Sequence, residues 1–139
     1  MIKELPSISY LHKVLQYDSL TGLFRWLKRT PDMFVGNASK TAEEKCAAWN
    51  LKHDDEFCFD GVDADGYNFG YIDGRRIRAA HLAWAWTYGV WPQKEGLRMT
   101  LDNGRRDDNS LSNLKPLARI SRPDTDIIAI VDGKPWTYG

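Results

Sequence analysis

Little in this chain of 139 residues provides a covalent or metal framework. It holds two cysteines, Cys46 and Cys58, and no Cys-x-x-Cys pair. A four-ligand zinc site would need both thiols plus His53 and the distant His12, so two free cytosolic thiols are the better reading. No apolar run reaches the roughly 18 residues of a membrane span. No charged-then-apolar leader opens the sequence, and the expectation is a protein that stays where it is made. Net charge is absent too, since 19 Lys and Arg balance 19 Asp and Glu. Repeats, low-complexity runs and obvious linkers are also lacking.

What is present fits a packed globule. The chain is 42% hydrophobic with six Trp, and its length predicts one domain over 1–139 with a real core. The charge is unevenly spread. Residues 1–68 hold 8 Lys/Arg and 11 Asp/Glu, residues 69–122 hold 10 and 5, and residues 123–139 hold 1 and 3. The middle stretch is therefore locally basic, at +5, between acidic flanks. That balance suits phosphate contacts but falls short of a strong nucleic-acid footprint. Asp54, Asp55, Glu56 and Asp60, with Asp63 and Asp65, form an acidic region that would repel a phosphate backbone and suit a basic partner protein.

Periodicity and turn chemistry predict an α+β chain. Ser9 to Gln16 reads as a helix capped by Ser7 or Ser9, with apolar residues at 8, 11, 14 and 15. Asp18 to Gly22 is a turn and Leu23 to Leu27 a short strand. Thr41 to Asn50 predicts a second helix with Glu43 and Glu44 in its first turn, where the dipole favours anions. Phe57 to Phe59 reads as a strand. Tyr67 to Ile72, Asp73-Gly74 and Arg75 to Ala79 form a hairpin, because Asp-Gly is a strong two-residue turn signal. Ala80 to Tyr88 is a helix closed by Gly89, with Pro92 beyond. Met99 to Asp102 is strand-like, Asp107 to Asn113 leads to a final helix, and Ile127 to Val131, Asp132-Gly133 and Pro135 to Tyr138 suggest a C-terminal hairpin.

The most informative stretch is Met99-Thr100-Leu101-Asp102-Asn103-Gly104-Arg105-Arg106-Asp107-Asp108-Asn109-Ser110-Leu111-Ser112-Asn113-Leu114. It resembles the V-D-H-I-N-G-D-x-x-D-N-R-I-x-N-L stretch of phage HNH endonucleases. The match lies in Asn103-Gly104, Asp108-Asn109 and Asn113-Leu114. Other pieces resemble the family in the same order. Leu15 to Trp26 is similar to L-x-Y-D-P-x-T-G-x-F-x-W, and Trp49-Asn50 to a W-N segment. Gly66-Tyr67 with Ile72-Asp73-Gly74-Arg75 resembles G-Y-x-x-x-x-I-D-G-K. Ala80-His81-Leu82-Ala83-Trp84 resembles A-H-R-L-A-W, and Tyr88-Gly89-Val90-Trp91-Pro92 resembles Y-G-x-W-P. The resemblance covers about residues 9 to 122, and its specificity lies in the ordered series. It implies an HNH-type ββα-metal core over 66–122, an N-terminal helix and strand elaboration over 1–65 and an extension over 123–139.

The chemistry of the family is missing from that frame. Its metal-binding Asp and general-base His fall on Thr100 and Leu101, and its third position, an Asn or His, falls on Arg122. Phosphodiester hydrolysis near neutral pH needs a base to activate water and a hard cation held by oxygen ligands. Leucine has no titratable atom, threonine offers a neutral hydroxyl, and a guanidinium repels a cation. The expectation is no metal, no cofactor and no hydrolysis. The escape route is relocation of the ligands to Asp102, helped by Asp107 or Asp108.

Binding is the expected activity. Arg75, Arg76, Arg78, Arg98, Arg105, Arg106, Arg119 and Arg122 are the candidate phosphate contacts, with His81 beside them and Trp86 as the exposed aromatic. Asn103, Gly104, Asp108, Asn109 and Asn113 are read as structural, the middle Asn pinning the loop through side-chain to backbone bonds as the resemblance implies. The alternative is a protein-interaction module that occupies a host defence, restriction or transcription protein through its acidic region. The third reading is an active nicking endonuclease. The resemblance further implies a viral protein in the bacterial cytoplasm, with DNA or a host protein as partner and no membrane.

Overall fold

The computed structural model describes residues 4–119 and the short strand Ile127–Ile128. Helix α1 (Ile8–Val14) starts at Ser7, whose side chain accepts from the Tyr10 amide at 3.2 Å. It stops two residues earlier than predicted. Leu15 and Tyr17 are both buried on one side of a strand, β1 (Leu15–Tyr17), which pairs with β2 (Phe24–Trp26). Pairing with β2 overrides the helical spacing there. Helix α2 (Ala42–His53) begins with a capping box between Thr41 and Glu44, and runs three residues beyond the expected Asn50. Strand β3 (Phe57–Cys58) completes an antiparallel sheet of order β1-β2-β3.

The second sheet is built on the Asp-Gly hairpin. Strand β4 (Gly61–Val62) pairs with β5 (Asn68–Ile72), and β5 pairs with β6 (Arg75–Arg78). Asp73 and Gly74 take φ of 48° and 84°, as the primed two-residue turn requires. Helix α3 (Ala79–Tyr88) follows directly and ends at Gly89 in the left-handed conformation. It is apolar on nearly all sides and lies at the centre. Leu82, Ala83 and Trp84 pack with Leu11 and Val14 of α1, Phe24 of β2, and Ile72 and Ile77 of the hairpin.

Strand β7 (Leu97–Leu101) pairs with β8 (Leu114–Arg119), and β9 (Ile127–Ile128) adds to β8 at Ala118 and Arg119. The segment after Asn113 is thus a strand and not the start of the expected helix. Pro116 opposes helix formation, having no N–H to donate, and Leu114, Pro116 and Ala118 alternate as a buried face. The turn and second strand of the predicted C-terminal hairpin, Asp132-Gly133 and Pro135 to Tyr138, lie outside the described residues. Among the described residues the architecture is α+β, with three helices and small antiparallel sheets. Among the described residues, no helix is long and apolar enough to cross a membrane.

Candidate nucleic-acid interface

The loop between β7 and β8 is held by its own asparagines and aspartate. Asn113 acts at three points. Its Nδ2 donates to the Asp108 carbonyl at 2.9 Å, its Oδ1 accepts from the Asn103 amide at 2.8 Å, and its backbone carbonyl accepts from the Asp102 amide at 2.9 Å. Asn103 donates to Asp108 Oδ2 at 2.8 Å and accepts from the Arg105 amide at 2.8 Å. Asp108 Oδ1 takes both the Ser110 hydroxyl and its amide. These donors hold the Asp108 carboxyl below its ordinary range, with Ser110 the largest contribution. Gly104 takes φ of 75°. Asn109 differs from expectation. Its buried side chain donates to Asn68 Oδ1 on β5 at 2.9 Å, not to loop backbone, and Asn113 does the backbone pinning.

The N-terminal turn grips this loop from outside. Tyr17 donates its hydroxyl to the Asn109 carbonyl at 2.5 Å, and the Leu111 amide donates to Ser19 O at 2.9 Å. Gly22 sits so close that an added Cβ would lie 2.4 Å from the Asn109 carbonyl carbon and the Ser110 nitrogen. The Thr-Gly step of the N-terminal motif is therefore the seat of the loop.

Beside the loop, β6, the start of α3 and β7 enclose a cleft of about 610 Å³. Thr100 and Leu101 line it together with Arg78, Arg98, Arg106 and His81. Thr100 donates its hydroxyl to the Lys115 carbonyl at 2.8 Å, which ties it to β8. Arg106 donates to the Asp65 carbonyl at 2.5 Å and lies 5.0 Å from the Tyr67 ring centre. Arg78 lies 4.3 Å over the same ring and reaches Asp63 at 3.7 Å. Arg98 is exposed, and no carboxylate among the described residues forms an ion pair with it. Burial pushes the His81 imidazole down to about 4, and the Arg78 charge adds to the effect. The ring is therefore neutral near pH 7 and a weak proton acceptor there.

This lining does not fit a divalent cation. Among the described residues it offers no carboxylate, three guanidiniums, a neutral imidazole and a hydroxyl already engaged with Lys115. Asp102, Asp107 and Asp108 lie outside the cleft lining. Asp107 pairs with Arg105 at 3.4 Å. The same walls suit an anion, because guanidinium groups and a neutral imidazole N–H all donate.

Other sequence candidates lie elsewhere. Arg76 lies over Phe69 at 3.9 Å, outside the cleft, and Arg75 is half-buried on the opposite side of β6. Arg119 ends β8 opposite Ile127, and Arg122 lies outside the described residues. Trp86 is not the free aromatic expected. It is half-buried, donates to the Leu15 carbonyl at 3.1 Å and packs edge-on against His12 at 4.7 Å, whereas Tyr88 is exposed. In the acidic region, Asp55 pairs with Arg25 and Glu56 with His53, each at 3.2 Å. Asp54 caps α2, and Asp60 is exposed. Asp63 pairs with Arg78, and Asp65 accepts from Arg106 through its backbone carbonyl. Cys46 is buried with its thiol on the Arg29 carbonyl, and burial raises the Cys58 thiol to about 12. Sequence reasoning missed Asn68, the pairing of Asp63 with Arg78 and the cleft role of Tyr67. The period-two alternation of residues 67–72 was the available signal. Comparison with protein-family models, curated proteins and solved structures finds no match.

Proposed function

We propose that this chain is an HNH-type scaffold whose nuclease site has become a metal-independent phosphate-binding cleft, and that it acts by binding nucleic acid. The observation that carries the reading is the cleft itself. Three arginines converge on the two positions where the resemblance expects a metal ligand and a base, and no carboxylate among the described residues lines the site. The loop wiring through Asn103, Asp108 and Asn113 supports the HNH frame. The resemblance supplies the expected setting, a viral protein in the bacterial cytoplasm. The protein-interaction alternative is less favoured, since Asp55, Glu56 and Asp63 already pair within the chain.

The test is a salt titration of duplex DNA binding in EDTA. Each lost phosphate contact should reduce the slope of log K against log salt by about 1. Arg98→Ala and Arg106→Ala should each flatten the slope by that amount and weaken binding similarly across sequences. A slope unchanged in both variants, or binding that appears only with Mg²⁺, would defeat the reading.

A further inference from the structure

Strand β5 separates its side chains cleanly. Asn68, Gly70 and Ile72 face inward: Asn68 holds Asn109, a Cβ on Gly70 would lie 2.7 Å from the Phe59 ring, and Ile72 is buried. Phe69 and Tyr71 therefore face outward, and Tyr67 continues their row. Strand β6 repeats the pattern with Ile77 buried and Arg76 and Arg78 exposed. The register sets Arg78 opposite Phe69 and Arg76 opposite Tyr71. The guanidiniums lean diagonally, Arg78 over Tyr67 at 4.3 Å and Arg76 over Phe69 at 3.9 Å. Gly61 of β4 leaves room for the Phe69 ring, because an added Cβ would stand 3.1 Å from it.

This row joins two concavities. Tyr67 and Arg78 are walls of the arginine cleft. Phe69 and Tyr71 line a shallow groove of about 300 Å³ together with Phe57. Tyr71 is 53% exposed and Phe57 47%. Arg25 lies 4.0 Å over the Phe57 ring. Glu56 and Asp60 close that end.

We infer that this face is a stacking platform for single-stranded nucleic acid. The inference rests on the nucleic-acid reading of the cleft and deepens it. A phosphate enters among Arg78, Arg98 and Arg106, and successive bases lie along Tyr67, Phe69 and Tyr71. The Phe69 and Tyr71 ring centres stand 6.0 Å apart at an interplanar angle of 81°, so the two rings present faces in different directions, each to its own base. A duplex hides its base faces and cannot use them. A guanidinium resting on a ring presents its own flat face, so Arg76 adds a second stacking surface and positive charge. The charge argues for this occupant: arginines lie over the rings, and among the described residues the carboxylates that form ion pairs with them are Asp63, on Arg78, and Asp55, on Arg25.

The experiment compares labelled oligo-dT, an abasic strand of equal length and a duplex of equal length, by fluorescence anisotropy in EDTA. The full chain should bind oligo-dT more tightly than either other probe. Tyr71→Ala should weaken oligo-dT binding by roughly 5- to 150-fold, the range for loss of one base stack. It should leave the abasic strand, the duplex and the melting temperature unchanged, and Tyr71→Phe should retain most of the affinity. Equal affinity for oligo-dT and the abasic strand, or no effect of Tyr71→Ala, overturns the platform. Duplex binding that still depends on Arg98 and Arg106 would then leave the cleft reading standing. Failure to bind all three probes defeats both.

Discussion

His81 shows how one side chain is disarmed by its surroundings. It opens α3 at the cleft wall, where burial and Arg78 keep the imidazole neutral down to about 4. The unfolded chain protonates such a histidine near 6.5. Between these values the unfolded state binds more protons than the folded one. Stability from His81 is thus fully present above about 6.5 and is lost as pH falls toward about 4. The depressed carboxyls of Asp18, Asp63 and Asp108 also lose stability in acid. Their contribution is common to a His81→Gln variant, so the difference between the two proteins isolates the histidine. Urea midpoints measured across this range should fall more steeply with acid in the wild type than in His81→Gln. Parallel profiles would count against a buried, neutral imidazole.

At the scale of elements, the fold depends on the N-terminal turn seating the β7–β8 loop. Gly22 and Gly104 make a controlled pair. Both have positive φ, 78° and 75°, but a Cβ at Gly22 meets backbone at 2.4 Å while one at Gly104 meets nothing within 4 Å. Gly104→Ala should therefore lose only the conformational term of about 1–2 kcal/mol. Gly22→Ala carries that term plus displacement of Asn109 and Ser110, and should melt at a clearly lower temperature. Equal melting temperatures would show that the junction yields without strain. This junction joins residues far apart in sequence, which is why the sequence reading found both motifs and not their contact. Local signals were legible: the Asp73-Gly74 turn, the Gly89 stop and the helix that starts at Thr41 all follow from short-range chemistry. The helix read to Gln16 was cut short at Val14 by pairing with β2, and the expected final helix is the strand β8, where pairing with β7 decides. Of the sequence candidates for the site, the structure shows only which ones lie together. Thr100, Leu101, Arg78, His81, Arg98 and Arg106 do meet in one cleft. Trp86 does not, because the pattern of α3 gave no sign that α1 covers it.

For the molecule as a whole, the zero net charge conceals a division of labour. The basic stretch lines the cleft, and the acidic stretch lies partly against its own cations. The Asp63 carboxylate approaches Arg78, which tempers the cleft's field without lining it, while Arg106 is held by the Asp65 backbone carbonyl. A general base contributes roughly 10²–10⁴ in rate, and a metal further lowers the barrier by stabilising developing charge. With His81 neutral and weakly basic, and guanidiniums around Thr100 and Leu101, the described lining of the cleft supplies neither contribution. Supercoiled and linear DNA incubated with the purified protein in Mg²⁺ or Mn²⁺ should therefore stay intact. Binding should be the same in EDTA and should weaken steeply with salt, since released counterions and not a metal bridge would provide the affinity. Relocated ligands would give the opposite result. Asp102 would have to leave its place beside the cleft and bring Asp107 away from Arg105. Metal-dependent nicking that disappears in Asp102→Ala would establish that rearrangement and overturn the assignment of a binding protein.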